Sequence, residues 1–503
     1  MPAPGSTTSL QDQPTPLSAP TDIGTAFIAV ETQRGPHLTP TLVRSLTQFA
    51  SVYGDRETDS LASDWVETAF REGCDRIYVS RAVGPSPVAA YLETNLTGNN
   101  NDLKFTAKYV GSYYHAITVR YVVSGTNTAL SVSVSGNAIT VNVATDGSGV
   151  ATSTASEILT AVNASAAAMA LLTTVALKTG NDGTGVVTAM SATALASGTD
   201  DRANITTTEI DAALDRFEPE LGPGQVAIPG RTTAAMHAIV LAHCDSARIN
   251  RVPRLDAADT PTVATLTTLA TTDAAVSGAR SAMLLAPWVE APAITAGGTA
   301  RLVPPSALVC GLEARNDAAG VSPNQPAAGD FGIARWVSDV SQPAWSETDR
   351  TTLNDAGVTV IRNIRGQVQP YGHRSLAAST SNWRRAATGR FAMWLRANAQ
   401  SRGDRFVHRE IGARREAITD LHSTLLALLT DPDEGFPQSL YPRLDADGNE
   451  LDAGYRVDTG PAVNTDESLN DGYLRAHVLW RPSPSAEFVE ISIVNVATTG
   501  AIA

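Results

Sequence analysis

A chain of 503 residues is too long for one ordinary core, and 43% apolar residues are enough to bury several, which excludes wholesale disorder. The net charge of −14 argues against nucleic-acid binding as the main role. No apolar run is long enough to span a bilayer, and the opening residues MPAPGSTTSLQDQPTPLSAP have neither the basic start nor the apolar stretch of a secretory leader. Cys74, Cys244 and Cys310 lie far apart without CxxC or Cys/His spacing, so buried free thiols are expected. The cations are almost all arginine; Lys104, Lys108 and Lys178 are the only lysines.

Residues 1–20 carry Pro2, Pro4, Pro14, Pro16 and Pro20 among Ser, Thr and Gln, a composition that favours an extended arm. From 21 onward the pattern reads strand (Ile23–Val30), helix (Leu42–Tyr53, ended by Gly54), helix and strand (Ile77–Val83). Leu61, Trp65, Val66, Ala69 and Phe70 give the second helix its 3.6-residue period. Residues 86–203 change character. Leu103–Tyr109, Ile117–Val123, Leu130–Val134 and Ile139–Val143 alternate apolar with other residues between Gly/Asn turns, which predicts an antiparallel β unit with one buried face. Thr154 and Glu157 form a candidate capping box before a helix. Residues 204–370 return to alternating β and α: Thr206 and Glu209 cap a helix bearing Ile210, Leu214 and Phe217, Gln225–Ile228 is a strand, Thr232–Arg248 a helix and Ala282–Leu285 a strand. Pro304–Pro305 then stops a strand, Ser306 caps a short helix, and Gly357 closes a helix before the buried strand at Val358–Ile361. In 371–503, Trp383, Ala387, Phe391, Trp394 and Ala397 share one helix face, Ile411, Ile418, Leu421, Leu425 and Leu428 another, and Glu487–Val494 alternates as a terminal strand.

Several segments resemble the contractile tail sheath proteins of bacteriophages and related injection machines. VPPSALVCGLEARNDAAGVSPNQPA, followed by LNDAGVTVIR, matches that family's signature, with Ala307 at a usual glycine and Cys310 at a usual alanine. TDIGTAFIAVETQRGP through DWVETAFREGCDRIYVSRAV is similar to the start of the sheath core, and GYRVDTGPAVNTDESLNDGYLRAHVLWRPSPSAEFVEISI to its C-terminal block. FTAKYVGSYYHAITVRYV resembles the opening of the domain that sheaths insert into their core. The PGVY-like start of many sheaths is absent.

The resemblance implies an α/β and α+β multidomain fold: an N-terminal arm (1–20), a split α/β core (21–85 and 204–370), an inserted antiparallel β-rich domain (86–203), and a C-terminal α+β domain with a terminal strand arm (371–503). It implies a structural role without cofactors or metal. The partners would be further copies of the chain in stacked hexameric rings, a tail tube, and baseplate and tail terminator proteins. There would be no direct nucleic acid, no membrane span, and the location would be a virion tail or a phage-like injection particle. Glu487, Val489, Ile491 and Ile493 would belong to a strand exchanged between subunits.

The residues themselves offer little chemistry. There is no GxSxG elbow. His243–Cys244–Asp245 puts three reactive side chains together, but adjacent helical residues diverge. GNDGTG at 180–185 lacks the GK[ST] of a phosphate loop, His408 and Glu410 lack metal-ligand spacing, and Asp445, Asp447, Gly448 and Glu450 read as an acidic surface turn rather than a calcium loop. Asp64 and Glu67 read as a solvated helix face. A hydrolase is therefore disfavoured; a β-rich surface binding protein is the rival from another class. One charge feature stands out: residues 371–420 hold ten arginines against four acids, and 421–503 four arginines against thirteen acids. Besides Arg374, these arginines are Arg384, Arg385, Arg390, Arg396, Arg402, Arg405, Arg409, Arg414 and Arg415. Either the two halves pair internally, or part of the basic set faces the tube or a neighbouring subunit.

Overall fold

The computed structural model describes residues 22–487 apart from 247–248, 296, 343–344 and 413. The proposed arm at 1–20 and the strand residues Val489, Ile491 and Ile493 lie outside the described residues; Glu487 is exposed at their end. The chain forms two compact units, one of residues 24–321 and 326–389, the other centred on 390–487.

In the first unit, β1 (Ala26–Val30) leads to β2 (Thr41–Val43), α1 (Leu46–Tyr53), α2 (Ala62–Glu72) and β3 (Ile77–Arg81). The expected helix from Leu42 begins later because Ser45 caps it, its hydroxyl accepting from Gln48 N; Thr41–Val43 instead pairs with β3.

The inserted segment contains β4 (Ala89–Glu93), β5 (Leu103–Val110), β6 (Thr118–Val122), β7 (Ser131–Ser135), β8 (Ala138–Asn142), α3 (Ala155–Ala164), α4 (Ala166–Leu171), β9 (Leu172–Leu177) and β10 (Met190–Ala194). The four alternating runs are strands, but they do not make one antiparallel unit. β5 joins β4 and β9, while the second sheet runs β10-β6-β8-β7, with β6 and β8 parallel. The Gly136 turn, at φ +56°, makes β7 and β8 a hairpin, and β8 rather than β7 takes the place beside β6. Alternation reveals a buried face, not the neighbour on either edge. The insertion has its own core, from Phe105 and Tyr121 to Ile158 and Val175. The capping box of Thr154 and Glu157 is present.

The chain then supplies α5 (Thr207–Leu214), β11 (Gly224–Ala227), α6 (Ala234–Asp245), β12 (Arg251–Asp256), α7 (Val263–Ala274), β13 (Met283–Ala286), β14 (Val289–Ala291), β15 (Arg301–Val303), α8 (Pro305–Ala318), β16 (Asp339–Val340), α9 (Glu347–Asp355), β17 (Val358–Ile364) and β18 (Gln367–Tyr371). Strands from both sides of the insertion share one sheet, ordered β18-β17-β13-β12-β11-β1-β3-β2, with a parallel interior and antiparallel edge pairs. Helices cover both faces. Ile28, Val79 and Leu285 pack with α1, α2 and α8, while Phe27, Val226, Leu284 and Val360 pack with α5, α6, α7 and α9. Burial on both sides explains the apolar runs of β1 and β13. Each fully buried Leu, Ile or Val is worth about 1.5–3 kcal/mol. α8 is longer than expected: Pro305 occupies its first turn, and Ser306 lies inside it rather than at the cap.

The second unit contains the C-terminal part of α10 (Ala386–Gly403) from Arg390, α11 (Glu416–Thr430), β19 (Arg443–Leu444), β20 (Glu450–Asp452), β21 (Tyr455–Asp458), α12 (Asp466–Asn470) and β22 (His477–Trp480). Trp383 and Ile411 fall outside the helices expected to hold them. Phe391 packs against Trp394 and Trp480, and Trp394 against Phe436. Among the described residues its strands form only two-stranded sheets, β19–β20 and β21–β22.

Candidate functional site

The reactive-looking clusters are engaged in structure. At the end of α6, burial and the Arg251 guanidinium push His243 down to about 4, and Arg251 Nη1 lies 3.4 Å from its Nε2. Burial pushes the Cys244 thiol up to about 12, and Asp245 accepts the Ser277 hydroxyl. A neutral thiol beside a neutral imidazole, with the carboxylate turned to another helix end, is no nucleophile–base pair. Asp445 spends its carboxylate on its own turn, accepting from Asp447 N, Asn449 N and Asn449 Nδ2, and Gly448 supplies φ +85°. Asp182 of the GNDGTG turn accepts from the backbone N–H and hydroxyl of Thr184. Asp64 and Glu67 are not a solvated face: they meet Arg56 and Arg301 in a half-buried four-charge cluster, with Arg301 Nη2 2.9 Å from Glu67 Oε2. Among the described residues no group of three metal-ligating side chains converges, and no helix is long and apolar enough to cross a membrane.

The polar residues that do organise the fold carry little sequence signal. Arg254 on β12 and Glu313 on α8 are fully buried and joined at 2.8–3.0 Å through two guanidinium nitrogens, with His373 Nε2 3.5 Å from Glu313. Asp256 accepts from Ser306 N and Oγ, both at 2.7 Å, and Ser306 Oγ accepts from Trp65 Nε1 at 2.8 Å. Burial pushes the Asp256 carboxyl up to about 7 against the pull of those two donors. His237 places Nδ1 2.6 Å from Asp273 and Nε2 3.2 Å from Asp256 O. Glu72 at the end of α2 is fully buried and accepts from the backbone N–H groups of Arg335, Trp336 and Val337. The available clue was positional: charged residues within apolar runs are buried only when paired.

A second framework roots the insertion. Arg81 is fully buried and donates to the carbonyls of Thr32, Gly35 and Val110 and to Asp200. Arg202 bridges Asp200, Glu57 and Asp59, and Gly35 N donates to the Tyr114 hydroxyl. The entering and leaving chains pair here, Gly84 N with Asp200 O and Val88 with Thr199. Gly84 is required by this approach: a Cβ there would sit 2.0 Å from Asp201 O.

The expected basic set does not form one exposed face. Arg384 and Arg385 are half-buried in the first unit, where Arg384 donates to Ser379 O. In the second unit Arg390 is 1% exposed and Arg402 6%, the latter paired with Glu434, so neither presents a free guanidinium to a partner. Both lie on the inner side of α10, where helical spacing from Phe391, Trp394 and Asn398 directs them inward. Arg396, Arg405, Arg409, Arg414 and Arg415 are exposed. Arg409 pairs with Asp420 and Arg415 with Asp466, so part of the charge imbalance is closed within the unit.

Neither a protein-family model nor a curated protein matches the sequence. Solved structures do, along nearly the whole chain. The fold is that of contractile sheath proteins. The sheath complex of an extracellular contractile injection system (PVC), in the contracted state, matches over 98% of both chains with a TM-score of 0.57 and 12% identity. The anti-feeding prophage helical sheath, also contracted, matches over 98% of this chain and 99% of its own at 0.53 and 16%. The sheath tail protein of Listeria innocua matches over 88% and 90% at 0.55 and 14%. These sheath likenesses take in both units and the insertion.

Proposed function

We propose that the chain is the structural subunit of a contractile sheath. The observation that carries this reading is the extent of the likeness: a shared α/β core would match many proteins, but here 98% of the chain and 98% of a sheath subunit align, terminal unit included. In this reading, copies form hexameric rings that stack helically around a tail tube between baseplate and terminator, and the extended array is a kinetically trapped state released by a trigger. Contraction then drives the tube through a target envelope. The particle is a phage tail or a phage-like injection particle, and no catalytic step is required of the chain.

The second unit supports this role. Among the described residues β21 and β22 form a sheet of two strands, with Leu479 and Tyr473 exposed, and an isolated pair is marginal alone. Residues 5–20 and 487–494 supply the strands that complete such sheets in neighbouring subunits, through main-chain hydrogen bonds that tether subunits while their bodies move. The exposed arginines Arg396, Arg405, Arg409, Arg414 and Arg415 meet an acidic surface of the tube or of an adjacent subunit.

Electron microscopy of the purified chain, alone and co-expressed with its tube protein, tests the proposal. Hollow striated tubes are expected. A small closed oligomer that persists with the tube present would overturn it. Deleting residues 1–20 should block tube formation while leaving the circular dichroism spectrum and melting profile unchanged; normal-length tubes from that deletion would refute the strand-exchange step.

A further inference from the structure

The inserted segment, residues 86–203, is described throughout, and the edges of its two sheets are finished in different ways. Asn163 of α3 covers the edge of β9, its side chain donating to Val175 O at 3.1 Å and accepting from Val175 N at 3.2 Å. The edge of β4 is met by the returning chain, Val88 with Thr199 and Tyr91 with Ala196. β10 is interrupted by an irregularity between Met190 and Thr193. β7 carries none of these devices. It is a regular run, Ser-Val-Ser-Val-Ser, without charge, proline or bulge, and among the described residues only β8 pairs with it. Edge strands of that kind template a further strand.

The register shows what the open edge offers. Ser135 and Ala138 flank the two-residue turn at Gly136–Asn137, so Ser131, Ser133 and Ser135 direct their main-chain groups to β8. Val132 and Val134 therefore direct their N–H and C=O groups outward. Their side chains are only half-buried, whereas Val141 and Ile139, opposite them on β8, are fully buried. Both the ladder and the apolar face are incomplete along β7.

We propose that β7 pairs with β7 of a second copy of this chain, antiparallel and centred on Ser133. The strand's own sequence selects this occupant, because it reads the same in both directions. In that register Val132 stands opposite Val134 of the partner subunit and exchanges both main-chain hydrogen bonds with it, and the second valine pair does the same, so every outward group is used. Valines continue the apolar face and serines the polar one. β7, β8 and α4, which packs against β7, contain no charged residue, so no like charges meet across the axis. Two four-stranded sheets become one of eight. The contact is isologous and stops at two copies. Rings stacked in one direction contain no such two-fold axis, so the pair forms between chains outside a single array, and the proposal does not rest on the sheath reading.

Cysteine cross-linking of the full-length chain tests it, because the result reads register and is indifferent to any other assembly. Where the two Ser133 residues face each other the Cα atoms lie about 4.5 Å apart, a separation that a disulfide spans. Under mild oxidation Ser133→Cys should give a covalent dimer on a non-reducing gel. Ser131→Cys alone should not, but its equimolar mixture with Ser135→Cys should. The wild-type chain sets the background from Cys74, Cys244 and Cys310. Sedimentation supplies a second reading: Ser133→Lys and Ser133→Glu should each pair about tenfold or more weakly than wild type, and their mixture should regain pairing, since like charges directly opposed become opposite ones. Ser133 is exposed, and recovery on mixing shows that both variants are folded. A Ser133→Cys dimer no stronger than the wild-type background, a Ser131→Cys dimer, wild-type-like pairing of Ser133→Lys, or no recovery on mixing would each overturn the proposal. If residues 1–20 of the same chain occupy β7 instead, cross-linking appears only once they are deleted, which overturns it equally.

Discussion

Replacing Arg254 with Met asks what holds the parallel sheet to α8. The side chains are similar in length, so packing is largely kept, but Glu313 loses the guanidinium that binds it through both carboxylate oxygens, in a site with no solvent exposure for either partner. His373 Nε2 lies 3.5 Å from Glu313 and helps only when protonated. Stranding one member of a fully buried pair costs about 3–5 kcal/mol, whereas replacing both members with apolar residues is close to neutral. Arg254→Met should therefore lower core stability by about that amount, and Arg254→Met/Glu313→Leu should recover most of it. Hydrogen exchange at the amides of β12 and β13 is the suitable assay, because a chain of two units does not unfold in one global two-state step. The pH dependence adds a second check. A stranded, buried Glu313 has a raised folded-state pKa, so its penalty is absent below the unfolded value, near 4.3, and grows as pH rises towards the folded value. The deficit of the single variant should shrink towards pH 5 and that of the double variant should not. A deficit below about 1 kcal/mol in the single variant, or one equal in both, would refute the account of a desolvated, mutually dependent pair.

Gly311→Leu should prevent the close crossing of α2 and α8, since even a Cβ at 311 would lie 2.5 Å from the Glu72 Cβ and 2.9 Å from Ala69 O; the core should melt several degrees lower, and Gly311→Ala should lie between. Asp256 is the carboxyl whose folded value, about 7, stands above its ordinary one of 3.8, so its contribution to stability falls as pH rises from about 4 to about 7 and is flat above; in Asp256→Asn, hydrogen exchange of the α8 amides should lose that slope. Arg81→Met removes the donor to three carbonyls and Asp200, so amides at 84–88 and 196–200 should exchange at least about tenfold faster while those of β6 and β8 keep their protection.

The core was readable because its strands are buried on both faces and its helix ends carry local signals, Thr206 with Glu209 before α5 and the positive φ of Gly357 after α9; Thr154 with Glu157 does the same in the insertion. Local signals of that kind survive in a single sequence. What failed was non-local. The start of α8 is settled by Asp256, 50 residues upstream, which takes the donors of Ser306 that a local cap would have taken. The pairing of β6 with β8 depends on which strand fills the gap beside a common neighbour, and the alternating pattern of β7 is equally compatible with either place.

The charge block of 371–420 shows the same limit in electrostatics, and burial resolves it. A run of arginines fixes the amount of charge, but whether each is spent inside the fold or left for a partner depends on which side of a helix it occupies. On α10, Arg390 and Arg402 fall with the buried aromatic side, while Arg396, between them, falls on the exposed side. Beyond the helix, Arg405 donates to Arg402 O and the Thr424 hydroxyl and Arg409 pairs with Asp420. The acidic residues divide likewise: Glu434 and Asp466 are consumed by Arg402 and Arg415, whereas Asp447 and Glu450 stand exposed on the β19–β20 hairpin. The unit thus spends Arg402 inside and leaves both signs of charge exposed together after α10, where Asp404, Glu410 and Glu416 alternate with Arg405, Arg409, Arg414 and Arg415.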